Sequence, residues 1–91
     1  MRSPRAKARA HLWALTGQLH EHGVTFAYTR LDRHGMVFTA RRGRESVEVR
    51  QMSEDGMVYV GRRRLRPCEV WPEIAARLGV VDEAAMLEVA G

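Results

Sequence analysis

The sequence predicts an α+β fold: an N-terminal helix, a four-stranded antiparallel β-meander, a C-terminal helix and a short last helix. Two observations predict it. Apolar residues recur with a helical period near both ends of the chain, and they alternate with other residues through its middle. Glycine-containing breaks separate the alternating runs, as tight hairpins require. Because 91 residues with 45% hydrophobic content suffice for one small core, we expect a single domain over residues 1–91.

The first helix is expected between about Ala6 and His22. One stripe of a helical period is formed by four apolar residues, Ala8, Leu12, Leu15 and Leu19. Ser3 and Pro4 suit the N-cap and the first helical position, and Gly23 suits the stop after the last turn.

Period-two alternation predicts four strands, which cover Val24–Leu31, Met36–Arg41, Glu45–Met52 and Met57 to about Arg62. We expect both main helices to pack on one face of this meander. That face would carry Phe26, Tyr28, Phe38, Val47, Val49, Val58 and Val60. The opposite face would carry Thr25, Ala27, Thr29, Val37, Thr39, Arg41, Glu48, Arg50 and Tyr59. An open sheet face of this small, basic and semi-polar kind is a common binding platform.

Helices are expected after the arginine-rich run that follows the fourth strand. The arginine-rich run 62–66 is interpreted as the end of the fourth strand or the start of a loop. A second helix follows, from about Cys68 or Trp71 to Leu78, with Pro72 in its first turn and Gly79 closing it. Asp82 is a suitable N-cap for a short last helix over residues 83–89.

The charge of the chain is divided unevenly along its length. Residues 1–66 hold 14 Lys/Arg and 6 Asp/Glu, a net charge of +8, whereas residues 67–91 hold one base and five acids, a net charge of −4. Such a division favours a nucleic acid or a nucleoprotein as partner. The excess of arginine over lysine has a second interpretation, since arginine codons are also favoured by a GC-rich genome.

We therefore predict a small non-enzymatic binding module that contacts nucleic acid or a nucleoprotein through a basic sheet and hairpin surface. Gathered arginines neutralise phosphates and release counterions, which raises affinity at low salt. The predicted contact residues are Arg41, Arg42, Arg44, Arg50, Tyr59, Arg62, Arg63, Arg64 and Arg66. We predict no catalytic residues, metal ligands or cofactor, because the sequence shows no nucleophile–base order, P-loop or ligand spacing.

Two alternatives remain open. The first is a protein-interaction module of the mobile-element type, such as a phage-encoded inhibitor of a host defence complex, for example CRISPR. It would bind a larger host protein, and the apolar and acidic C-terminal segment offers a route to a homodimer. The second is a small ribonuclease in which His34 acts as general acid or base.

The ribonuclease alternative also has a resemblance behind it. The order of a helix, Gly23-Val24, a hairpin and Arg33-His34 is similar in layout to small toxin ribonucleases of the HicA type, although their Gly-Ser-His turn is absent here.

The order of helix, strands and helix also resembles a double-stranded-RNA-binding domain. Glu69 and Glu73 stand where that family has basic residues, so its RNA-binding end is not matched.

The expected location is the cytoplasm, away from membranes. A single cysteine, Cys68, cannot form an internal disulfide, which fits a reducing compartment. No apolar run approaches the roughly 20 residues that cross a bilayer, and no secretory leader is visible behind Met1.

Overall fold

The computed structural model of the chain describes residues 3–81. Along the sequence, the strands of one sheet lie between two helices, α1 (Pro4–Glu21) and α2 (Val70–Leu78). The sheet has five strands, β1 (Thr25–Leu31), β2 (Met36–Arg42), β3 (Glu45–Gln51), β4 (Val58–Val60) and β5 (Arg63–Leu65). Neighbouring strands are antiparallel, and their order in the sheet follows the sequence. The α+β class and the antiparallel meander are therefore confirmed.

Helix α1 begins and ends at the signals expected from the sequence. The hydroxyl oxygen of Ser3 accepts a hydrogen bond from the backbone N–H of Ala6 at 3.1 Å, and Pro4 occupies the first turn. Gly23 has a φ of +70°, which lets the chain leave the helix and enter β1. The predicted stripe is buried in full: Ala8, Leu12, Leu15 and Leu19.

The prediction of four strands is wrong, because the arginine-rich run forms a fifth. Gly61 adopts a φ of +62° and donates its backbone N–H to the carbonyl oxygen of Glu48 at 2.8 Å. This tight turn reverses the chain after β4, so that Val58 lies opposite Leu65 in β5. The sequence does carry the turn signal, a glycine directly after Val60. The sequence pattern does not indicate this strand, because Leu65 is its only apolar and only buried residue.

Both helices pack on one face of the sheet and share one core with it. The buried apolar residues of the sheet are Met36, Phe38, Ala40, Val47, Val49, Val58, Val60 and Leu65. Phe26 and Tyr28 of β1 are half-buried against this core. The other face of the sheet is left open by the described residues, and the predicted division of residues between the two faces agrees with the register.

Helix α2 is preceded by a 3₁₀ turn at Pro67–Glu69. Pro72 lies in the first turn of α2, and Gly79 ends the helix in the left-handed conformation at φ +68°. The expected short helix over residues 83–89 lies outside the described residues. Within the part of the chain that is described, no helix combines the length and apolar character needed to cross a membrane.

Candidate nucleic-acid interface

The pleat of the sheet distributes the nine predicted contact residues over separate places. Four of them, Arg41, Arg50, Tyr59 and Arg64, lie on the open face of the sheet. Two lie on the helix side, Arg42 and Arg63. Arg44 and Arg62 lie in the β2–β3 and β4–β5 turns, and Arg66 precedes the 3₁₀ turn. They do not form one continuous patch, because neighbouring residues of a strand point to opposite faces.

The Arg42 side chain forms hydrogen bonds within the fold. Its Nη1 donates hydrogen bonds to the carbonyl oxygens of Leu78 at 3.0 Å and Gly79 at 2.7 Å. These carbonyls belong to the C-terminal end of α2, where the helix dipole favours a cation. Arg42 therefore fastens the β2–β3 hairpin to α2.

Arg63 binds an acid of the helix layer. Its Nη1 donates to Oε1 of Glu73 at 2.8 Å, while Nε of Arg77 donates to Oε2 of the same carboxylate at 2.7 Å. The Glu73 side chain is only 16% exposed, so this sheltered carboxylate contacts two guanidinium groups and offsets the charge of one of them. The spacing of Glu73 and Arg77 signals a helix pair in the sequence, but the link to Arg63 needs the fold.

Arg64 and Arg66 are also paired with acids. Arg64 Nη2 donates to Oδ2 of Asp55, and Arg66 Nε donates to Oε1 of Glu69 at 3.2 Å. Hydrogen bonds from the Arg66 backbone N–H and guanidinium lower the pKa of Glu69. The pKa of Asp55 falls to about 2, because the Ser53 hydroxyl, the Met57 backbone N–H and Arg64 all donate to its carboxylate.

Three of the four remaining predicted arginines lie at one end of the sheet. Arg41, Arg44 and Arg62 have no acidic partner within residues 3–81, and all three are exposed. We call them the arginine end. The β2–β3 turn and the β4–β5 turn lie toward the same end of the sheet, because they are alternate turns of one antiparallel meander, and Gly61 bonds to Glu48 in the middle of β3. Strand geometry places the three backbones within about 15 Å of one another.

An open depression borders the arginine end on the edge of the sheet. It measures about 390 Å³ and is lined by Thr25, Phe26, Ala27, Thr39 and Arg41. The Thr25 hydroxyl donates to the carbonyl oxygen of Arg41 at 3.3 Å. Small side chains and a hydroxyl next to the Arg41 guanidinium, which has no acidic partner in residues 3–81, give this surface room for a polar group.

Arg50 and Tyr59 form a second feature of the open face, which we call the Arg50–Tyr59 pair. They lie opposite each other on β3 and β4, with the guanidinium carbon 5.3 Å from the centre of the ring. Arg50 Nε lies 3.3 Å from Oε1 of Glu48, yet this buried nitrogen makes no hydrogen bond. The two charges attract without the directed contact that would hold the guanidinium firmly.

His34, the residue of the ribonuclease alternative, is exposed in the turn between β1 and β2. Its backbone N–H and that of Gly35 donate to Oδ1 of Asp32, at 2.8 and 3.0 Å. Oδ2 of Asp32 accepts from Arg30 Nε at 2.9 Å. Asp32 therefore stabilises the turn. Its hydrogen bonds lower the pKa of its carboxyl group, and the bond from Arg30 has the largest effect. The His34 turn lies at the opposite end of the sheet from the arginine end.

Comparison with protein-family models, with curated proteins and with solved structures finds no match for this chain. Two features of the geometry bear on function. The arginine end offers positive charge without an acidic partner in residues 3–81, and the Arg50–Tyr59 pair offers a flat guanidinium and a ring on the open face.

Proposed function

We propose that this protein is a small non-enzymatic module that binds nucleic acid through the arginine end and the open face beside it. The observation that supports the proposal is the position of Arg41, Arg44 and Arg62, which lie at one end of the sheet without acidic partners in residues 3–81. Unpaired guanidinium groups are available to phosphates, and each contact releases counterions from the nucleic acid. Binding of this kind depends on charge more than on sequence.

The number of available arginines sets the expected salt dependence of binding. Three phosphate contacts predict that log K falls with log salt at a slope of about −2.7 for a duplex and about −2 for a single strand. If all eight predicted arginines met phosphates, the slopes would be about −7 and −6. We expect the smaller slopes, because Arg42, Arg63, Arg64 and Arg66 hold internal partners.

The test measures binding of labelled oligonucleotides at about 50 and about 200 mM salt, because binding through phosphate contacts weakens steadily as the salt concentration rises. One variant replaces Arg41, Arg44 and Arg62 by glutamine. A matched control replaces Lys7, Arg9 and Arg33, which lie on α1 and in the turn at the opposite end of the sheet. Both variants lose the same amount of charge from a chain of net charge +4.

The proposal predicts that the arginine-end variant loses most of its affinity at low salt and most of its salt dependence, while the control keeps both. Equal losses in the two variants would show that only total charge matters. No binding by the unaltered protein at low salt would overturn the proposal.

A protein-interaction module is the second candidate function. It is favoured by large apolar side chains on the surface, since Trp13 is 49% and Leu31 46% exposed. A pull-down from nuclease-treated lysate distinguishes it from the first candidate. A stoichiometric protein partner that survives the nuclease supports the interaction module, and loss of all partners after nuclease counts against it.

A further inference from the structure

We infer that the nucleic acid is bound as a single strand, with an unpaired base stacked on the Arg50–Tyr59 pair. This inference rests on the proposed function and specifies its substrate class. It is carried by the place of the pair on the open face, by the charges around it, and by what each form of nucleic acid can present to an aromatic ring.

The pair stands in a row that crosses the whole sheet. The strand register sets five residues side by side on the open face, in the order Arg30, Val37, Arg50, Tyr59 and Arg64. Helices α1 and α2 lie on the other face, so no described helix covers this row. The row spans about 20 Å across the strands, which is room for more than one nucleotide.

The charges along the row are almost balanced. Its arginines each lie beside a carboxylate: Arg30 with Asp32, Arg50 with Glu48 and Arg64 with Asp55. A balanced surface gives phosphates little electrostatic attraction, but it tolerates an uncharged base. The arginines without an acidic partner in residues 3–81 lie at the arginine end, and Arg62 follows Tyr59 by three residues, a distance of about 10 Å at most. The arginine end therefore contacts the phosphates, and the Arg50–Tyr59 pair contacts a base.

A duplex cannot use the Arg50–Tyr59 pair in this way. Within a double helix the flat faces of the bases are covered by their stacked neighbours, so a side chain on a sheet meets phosphates and groove edges only. A single strand exposes those faces, and bases stack on aromatic rings and on guanidinium planes. The same ring is therefore useful to a single strand and of no use to a duplex.

The experiment compares a fluorescein-labelled oligouridine of about 12 nucleotides with a labelled duplex of about 12 base pairs, both at low salt. We expect Tyr59→Ala to weaken single-strand binding by about 5- to 150-fold and to leave duplex binding unchanged. Tyr59→Phe keeps the ring and should keep the affinity. Trp13→Ala is the matched control, since Trp13 is an exposed aromatic residue on α1, away from the open face.

Stability is measured for each variant by thermal unfolding, and Tyr59→Leu, which keeps an apolar side chain without a ring, replaces Tyr59→Ala if the latter does not fold. Duplex binding as tight as single-strand binding, with no effect of removing the ring, overturns this inference and leaves the proposed function standing. Failure of both probes to bind the unaltered protein overturns the proposed function itself, and a nuclease-resistant protein partner then directs attention to the interaction module.

Discussion

At the scale of single residues, adjacent arginines in this chain have different environments. Arg41 points to the open face without an acidic partner in the described chain, whereas Arg42 reaches the end of α2. Arg63 contacts Glu73 in the helix layer, and the next residue, Arg64, contacts Asp55. Alternation along a strand separates each pair of neighbours, so a run of like residues supplies both structural contacts and surface charge.

Replacement of Arg42 by alanine should destabilise the protein by about 1 kcal/mol or more, because two carbonyls of the α2 terminus lose a charged hydrogen-bond donor. The control is Arg44→Ala in the same hairpin, which should change stability by less than about 0.5 kcal/mol. Urea unfolding followed by circular dichroism measures both. Equal effects of the two substitutions would contradict the assigned role of Arg42.

Asp55 should make the stability of the fold depend on pH in acid. Its pKa is about 2 in the folded chain against a reference value of 3.8. A depressed folded-state pKa stabilises the fold above the unfolded-state value, and this contribution is lost as the pH falls from about 4 to about 2. Asp32 and Glu69 also have lowered pKa values and act in the same direction.

The measurement is the free energy of unfolding by urea at several pH values between about 2 and about 5. Asp55→Asn removes the titrating group, so its stability should vary less steeply with pH in this window than that of the unaltered protein. Parallel curves for the two proteins would contradict the assigned contacts of Asp55.

At the scale of elements, two glycines should respond to alanine in opposite ways. Gly17 lies inside α1, and a Cβ added there meets nothing within 4 Å, so Gly17→Ala should stabilise the protein by about 0.5–1 kcal/mol. Gly56 has a φ of +82°, and a Cβ there would lie 2.6 Å from the carbonyl oxygen of Pro4. Gly56→Ala should therefore destabilise the contact between the β3–β4 loop and the start of α1. Thermal unfolding compares the two variants, and the same sign for both would contradict this packing.

The elements themselves were largely predictable from local patterns. The stripe ending at Leu19, the cap at Ser3 and the stop at Gly79 each depend on residues a few positions apart. Strand β5 was missed because its three residues become a strand only through pairing with β4. The 3₁₀ turn before α2 contains Cys68, one of the two residues at which the second helix is predicted to begin, and its cap is a local contact in which Glu69 accepts a hydrogen bond from the Arg66 backbone N–H.

At the scale of the whole molecule, the sequence shows how much charge there is but not which charges meet. Glu48, Asp55 and Glu73 were counted against the basic residues only as a sum. The fold brings Asp55 to Arg64 and Glu73 to Arg63 through the order of the strands and the packing of α2 on the sheet. Glu48 and Arg50 instead lie two positions apart on β3. The Asp55–Arg64 and Glu73–Arg63 pairs join residues nine and ten positions apart in the sequence, so no local pattern indicates them. Four of the predicted contact arginines therefore have internal partners that the composition does not show, whereas the arginine end has no partner among the acids of residues 3–81.

The bond between Arg42 and the end of α2 has a consequence for mutational screens. A library that varies residues 41–44 together would remove the hairpin's anchorage along with its exposed cations. Unfolded members would then be scored as defective binders, and the screen would overstate the importance of the hairpin. Holding Arg42 constant while its neighbours vary separates loss of recognition from loss of soluble protein.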